Sequence, residues 1–158
     1  MEDLKKLVTE GWSYNMYMLD TNILIFAIRH PNSKCAAKLA EHVGEDVCIS
    51  VVTYAELEYG ILNSNYPERN RTAINGILAG IPIEDFDMKA AMHFGQILAE
   101  LRKKHKDKQN QDRDKMIAAH ARSRGYTLVT DNTKDFIDID NILIENWREE
   151  GDLSSKTV

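Results

Sequence analysis

The chain has 158 residues, enough for one domain with a single continuous core. A hydrophobic content of 43% with 28% charged residues is the balance of an ordinary soluble globule, not of a disordered chain. The formal net charge of −5 excludes coating of nucleic acid by bulk charge, and leaves open a local basic surface or an acidic pocket that works through cations.

Residues 1–15 read as an N-terminal extension of one of three kinds: a short extra helix around Leu4, Leu7 and Val8, a vector-derived tail, or the product of an upstream start with Met16 or Met18 as the natural beginning. The segment is charged and lacks a signal-peptide core. No apolar run in the chain approaches the ~20 residues that cross a bilayer. The cytoplasm is therefore the expected location, with no membrane partner.

The first strand is predicted over Met16, Tyr17, Met18 and Leu19 and stops at Asp20. A helix follows from about Thr21 to Arg29, because His30-Pro31-Asn32-Ser33 is a cluster of breakers. A second helix, about Lys34 to Val43, stops at Gly44. Val47-Cys48-Ile49 is a short apolar strand, after which Ser50 caps a helix from Val52 to about Leu62 carrying Glu56 and Glu58. Glu56 shares a face with Val52 and Gly60, so Glu58 is the expected solvent-facing neighbour.

Pro67 suits the first turn of a helix ending at Gly80. Ile81-Pro82-Ile83 is at best an edge strand, since proline cannot donate to a central ladder. Asp87 is a cap for a longer helix with Ala91, Phe94, Ile97, Leu98 and Leu101 at helical spacing. That helix runs into Arg102–Lys108 and a polar loop. The next, about Asp114 to Arg124, ends at Gly125 and leads to the β-branched strand Tyr126–Thr130. Asp131-Asn132-Thr133 is a turn or cap, Ile142-Leu143-Ile144 a last strand, and residues 149–158 a C-terminal tail.

Strands separated by helices, with connections too long for hairpins, predict an α/β fold with a parallel sheet and helices on both faces. In such a sheet the strand ends that lead into helices open on one rim. Asp20 ends the first strand, Asp131 or Asp135 follows the Tyr126–Thr130 strand, and Glu56 lies about two turns into its helix. Asp114 opens the helix that feeds the Tyr126–Thr130 strand and reaches the same rim from its side. Each also has an ordinary reading: Asp20 and Asp114 as helix caps, Glu56 as a solvated helix position. Gathered carboxylates repel one another unless a cation neutralises them, and all-oxygen ligands favour Mg²⁺ or Mn²⁺ over zinc. A site of that kind activates water against a phosphodiester. No Ser–His–Asp grouping, GxSxG elbow or phosphate-cradling glycine loop competes with it. Cys35 and Cys48 lack metal-type spacing and read as core residues.

Three segments, taken together, resemble the VapC-type toxins of the PIN-domain ribonuclease family. They are Met18-Leu19-Asp20-Thr21-Asn22, Ile49-Ser50-Val51-Val52-Thr53-Tyr54-Ala55-Glu56-Leu57, and Asp114-Lys115-Met116-Ile117-Ala118-Ala119-His120-Ala121 with Leu128-Val129-Thr130 downstream. The resemblance covers residues 16–148, a PIN domain closed by Glu145-Asn146-Trp147. It implies an Mg²⁺- or Mn²⁺-dependent endoribonuclease cutting a structured RNA such as a tRNA, a homodimer, and a cognate VapB-type antitoxin. Asp20 and Asp114 are then the principal metal ligands, and Glu56 completes the catalytic set, directly or through water. Thr21 matches the small polar residue after the first acid. The family's frequent fourth acid falls at Asn132, one place after Asp131, which bears on a second metal rather than on activity. Thr130 and Asn22 are expected to hydrogen-bond the acids or to cap.

The basic run is either a solvated helix end or an RNA grip, and Lys103, Lys104 and Lys106 are its candidate phosphate contacts. Arg69 and Arg71 are weaker candidates. His120 reads as packing or a surface contact rather than a base, and Tyr59, Tyr66 and Phe94 as core or interface. The alternatives are a non-catalytic PIN-like module that binds RNA or protein, and an Mg²⁺-dependent phosphatase acting on a small molecule, for which no substrate pocket is recognisable.

Overall fold

Strand β1 (Tyr17–Leu19) lies at the centre of a five-stranded sheet and has both of its faces covered. The structure is a computed structural model that describes residues 15–108 and 110–148. The expected C-terminal tail and, apart from Asn15, the expected N-terminal extension lie outside those residues. Along the described chain β1 is followed by α1 (Thr21–Arg29), α2 (Lys34–His42), β2 (Val47–Ser50), α3 (Val51–Leu62) and α4 (Pro67–Leu78). Then come β3 (Ile83–Glu84), α5 (Met88–Lys103), α6 (Asp112–Arg124), β4 (Thr127–Val129), a 3-10 turn (Thr133–Asp135) and β5 (Leu143–Glu145).

The sheet order is β3-β2-β1-β4-β5 and every pairing is parallel. The chain thus steps outward from β1 to β2 to β3, then crosses to β4 on the other side of β1. Crossovers keep one hand, so reversing the step direction puts the next helices on the opposite face. The two cores follow this rule. Leu19, Val47, Ile49 and Val129 face Ile23 and Leu24 of α1, Leu39 of α2 and Leu57 of α3. Met18, Cys48 and Leu128 face Ile97 and Leu101 of α5 and Ile117, Ala118 and Ala121 of α6. Adjacent residues Met18 and Leu19 enter different cores because strand side chains alternate, and both are completely buried. Removing either from water stabilises the fold by roughly 1.5–3 kcal/mol.

The helix starts are set by short-range chemistry. Ser33 accepts from Ala36 N at 3.0 Å, Ser50 from Val52 N at 3.1 Å and Asp87 from Ala90 N at 2.9 Å, the usual reach of a cap to the second or third helical amide. Gly125 ends α6 at φ 68°, a left-handed position suited to glycine. Pro82 precedes an edge strand of only two residues, as its missing N–H requires. In α5 the buried residues are Ala90, Ile97 and Leu101, and Ala91 faces solvent.

Candidate active site

The step reversal between β1 and β4 makes a crevice at the carboxyl ends of those two strands, where open α/β sheets bind ligands. Asp20 leaves the end of β1 and Thr130 the end of β4, tied by a backbone bond from Asp20 N to Val129 O at 2.9 Å. Asp20 stands at the N-cap of α1, yet it departs from the other three caps. Its Oδ1 accepts from Thr21 N at 2.7 Å, the first helical amide, rather than from the second or third. Its Oδ2 accepts from the Thr130 hydroxyl at 2.9 Å. Thr130 is wholly buried and Asp20 is 3% exposed. Burial raises the Asp20 carboxyl above the usual carboxylate range, to about 6, with the charges of Asp114 and Glu56 adding to the rise and the Thr130 and Thr21 hydrogen bonds opposing it.

Glu56 projects from α3 towards the same crevice. Its Oε2 accepts from the Thr21 hydroxyl, and its Oε1 lies 3.3 Å from Arg113 Nε. Thr21 therefore links two acids, its amide on Asp20 and its hydroxyl on Glu56. Asp114 sits in the first turn of α6. Its carboxyl is also raised, first by burial and then by the charges of Glu56 and Asp135, with Arg113 acting in the other direction. Three carboxylates from β1, α3 and α6 thus feel one another's charge.

The acid following β4 that reaches this group is Asp135. The 3-10 turn brings its carboxylate to the side-chain amides of Asn132 and Gln111, the latter at 3.2 Å, and to 3.7 Å from Lys108 Nζ. Asp131 is held instead by Arg148 at 3.4 Å, a counter-ion that works against its turning inward. Asn132 serves as a support: its amide N–H donates to Thr130 Oγ1 at 3.1 Å and its side chain holds Asp135. Asn22 is exposed on α1 and, among the described residues, hydrogen-bonds none of the acids.

The basic run leads from the end of α5 towards the start of α6, and residues 102–108 are exposed. Lys104 donates to Asp138 O at 2.9 Å and Asp140 Oδ1 at 2.7 Å; Lys103 and Lys106 are exposed and, among the described residues, have no such side-chain partner. Buried Lys115 fastens the loop beside the crevice through Asp107 Oδ1 and Lys108 O, both at 2.8 Å. Arg71 is not a free cation, because it forks onto both oxygens of Glu58 at 2.7 and 3.0 Å.

Other reactive side chains are engaged elsewhere. His120 is wholly buried with Nδ1 2.8 Å from Ser50 Oγ, and burial pushes its pKa down, so it braces α6 against the cap of α3. Burial pushes the Cys48 thiol up to about 12, which removes it as a nucleophile. Tyr59 and Tyr66 are 64% and 67% exposed, not core, whereas Phe94 packs against the second core. Glu56 also borders an apolar cleft of about 170 Å³ lined by Ile25, Ile28, Leu57 and Ile74.

Among the described residues, no three His, Cys, Asp or Glu side chains form a closed metal cage. The donor set nonetheless fits a hard divalent cation. It is all carboxylate, burial raises the Asp20 and Asp114 carboxyls, and an ion such as Mg²⁺ is commonly held by one or two carboxylates with waters completing its shell. Sequence reasoning passed over Arg113 and Gln111. The signal for the first was a cation directly beside Asp114; nothing local marks the second, whose partner is 24 residues away.

The profile of the PIN domain matches residues 17–142. Ribonuclease VapC2 of Haemophilus influenzae is 42% identical over 131 residues, covering 83% of this chain and 97% of that protein. The tRNA(fMet)-specific endonuclease VapC of Shigella flexneri is also 42% identical, with the same coverage. Among solved structures, DNA-bound VapBC from Salmonella typhimurium superposes with a TM-score of 0.77 at 39% identity, over 84% of this chain and 98% of its counterpart.

Proposed function

We infer the chemistry of the acidic crevice from its family: the chain belongs to the PIN-domain family, among its VapC-type toxins. It is an endoribonuclease and the toxin of a toxin–antitoxin pair. We propose in addition that cleavage depends on Mg²⁺ or Mn²⁺ held by Asp20 and Asp114, with Glu56 completing the set. The observation that carries this reading is the behaviour of Asp20 as an incomplete cap. A carboxylate whose only role was to cap would reach the second or third amide, as Ser33, Ser50 and Asp87 do.

When bound, the cation supplies neutralisation of phosphoryl charge and an acidified water. The chain's own part is to hold the acids ready. Thr130 and the Thr21 amide fix the Asp20 carboxylate, and the Thr21 hydroxyl fixes Glu56. Burial keeps these groups in a low-dielectric setting, where a cation is drawn in strongly. Glu56 is suited to accept a proton from the attacking water. Asp135, steadied by Asn132 and Gln111, adds negative charge at the edge.

The substrate we propose is a tRNA, following the name borne by the Shigella flexneri relative. The partner is a VapB-type antitoxin, and the working form a homodimer. The apolar cleft beside Glu56, together with exposed Tyr59, Leu62 and Tyr66, supplies surface for such a partner. No helix among the described residues is long and apolar enough to cross a membrane.

The direct test is cleavage of total tRNA with Mg²⁺, with Mn²⁺ and with EDTA. Cleavage should need the cation and stop when it is chelated; activity that persists in EDTA removes the metal reading. A module that only binds RNA would show no cleavage under any of these conditions. A second test concerns the basic run. Changing Lys103, Lys104 and Lys106 to Gln should weaken RNA binding and flatten its salt dependence, by about 0.7 in log–log slope for each lost phosphate contact. An unchanged slope would show that these side chains are only a solvated helix end.

A further inference from the structure

The arginines of the fold differ in what else holds them. Arg122 is 7% exposed and bonded to His93, Glu100, Gln96 and Asp140 O, so it is part of the framework. Arg71 is forked onto Glu58. Arg113 differs from both. Its side chain is 66% exposed, while the Glu56 carboxylate that it meets is 16% exposed. Among the described residues this pairing is its one polar contact. Glu56 has both oxygens engaged, one by the Thr21 hydroxyl and one by Arg113. A cation that binds Glu56 directly through Oε1 therefore displaces Arg113, and the displaced guanidinium stays next to Asp114 on the first turn of α6, at the mouth of the crevice.

We propose that Arg113 is an exchangeable counter-ion: it holds Glu56 while no divalent cation is bound, and moves to an RNA backbone phosphate when one is. The inference rests on the metal-dependent nuclease reading and adds a substrate-contacting residue to it. The physical basis is a matter of magnitudes. The Arg113 side of the pair is open to solvent, which screens the attraction, so the guanidinium gives way to a divalent ion. A guanidinium then presents paired donors that match a phosphate. The same residue thus opposes cation binding slightly and favours RNA binding, and loss of its charge should move the two in opposite directions.

The experiment uses the full chain with Arg113→Gln and Arg113→Lys, and Lys89→Gln as an equal charge change near the far end of α6, where Asp87 meets Arg124 at 3.4 Å. Isothermal titration with Mn²⁺ in the absence of RNA gives the affinity for the cation alone. Steady-state cleavage of tRNA over a range of salt gives KM, kcat and the salt slope. Arg113→Gln should bind Mn²⁺ about two- to fivefold more tightly. It should also show a KM raised roughly fivefold or more, with kcat less affected, and a salt slope shallower by about 0.7. Arg113→Lys should recover most of the KM, and Lys89→Gln should match wild type in all three. Tighter Mn²⁺ binding with an unchanged KM overturns the transfer to RNA. A raised KM with unchanged Mn²⁺ affinity overturns the counter-ion role. Should wild type bind no Mn²⁺, the metal reading itself fails and the exchange falls with it, a result separable from the other two.

Discussion

Asp20→Asn is expected to abolish RNA cleavage, by at least about 10³-fold in kcat, while leaving the protein folded. The size follows from what is removed. Electrostatic groups aimed at the reacting centre of a water-excluded site are typically worth 10²–10³ each, and here the change also strips a charged ligand from the proposed cation site. The substitution is close to isosteric. Asparagine keeps an oxygen for Thr21 N and places its amide against Thr130 Oγ1, a hydroxyl that can accept as well as donate. Cleavage assays with Mg²⁺ and circular dichroism on the same samples check both halves. A variant that cuts as fast as wild type would end the assignment of Asp20 to the reaction.

The same substitution should stabilise the cation-free protein at neutral pH, which a purely structural carboxylate would not do. The folded-state pKa of Asp20 is raised, from 3.8 to about 6. Between those values the folded chain holds a proton that the unfolded chain has released, so stability falls as pH rises through the window. Above it the ionised carboxylate costs the fold up to ~3 kcal/mol. Asp20→Asn removes that cost, so its melting temperature at pH 7 should exceed that of wild type in EDTA, and the gap should close below pH 4. Adding Mn²⁺ should stabilise wild type and do little for the variant.

What the sequence makes legible divides along the range of the interactions concerned. The bounds of α1, the caps Ser50 and Asp87, and the edge position of the strand after Pro82 were all readable, because a capping side chain and a missing N–H act within a few residues. The alternation of Met18 and Leu19 between two cores follows equally from the pleat. The choice between Asp131 and Asp135 was not readable. It is made by Arg148 pulling one acid outward and Gln111 holding the other, contacts that span 17 and 24 residues. Arg71 looked available for RNA because Glu58, 13 residues back, is brought to it only by the turn between α3 and α4. His120 likewise meets Ser50 across 70 residues. Tyr59 and Tyr66 read as core or interface, and only the packed molecule, which leaves both exposed, removes the first of these.

Trp147 is where the last strand is secured, and Trp147→Ala should cost more stability than any other truncation at the sheet's periphery. The ring is 1% exposed although it lies almost at the end of the described chain. It stacks on His42 of α2 at 4.7 Å and meets Tyr17 of β1 at 5.2 Å, while Lys38 Nζ lies 5.4 Å from the ring. Its Nε1 donates to Glu145 Oε1 at 3.2 Å, and Glu145 also pairs with Lys38 at 3.5 Å. One side chain thereby fastens β5 to the central strand and to the helix layer. Large-to-small changes of a buried tryptophan cost about 3–5 kcal/mol, which for a domain of this size corresponds to a fall of roughly 10 °C or more in Tm. Trp147→Phe keeps an aromatic surface for His42 and Tyr17 but loses the hydrogen bond and the second ring, so its cost should be intermediate. Because Trp147 touches none of Asp20, Glu56 or Asp114, kcat per folded molecule at 25 °C should be unchanged in both variants. A melting temperature within about 3 °C of wild type for Trp147→Ala would mean that β5 is held by its ladder to β4 alone, and that the aromatic cluster is dispensable to the sheet on which the crevice is built.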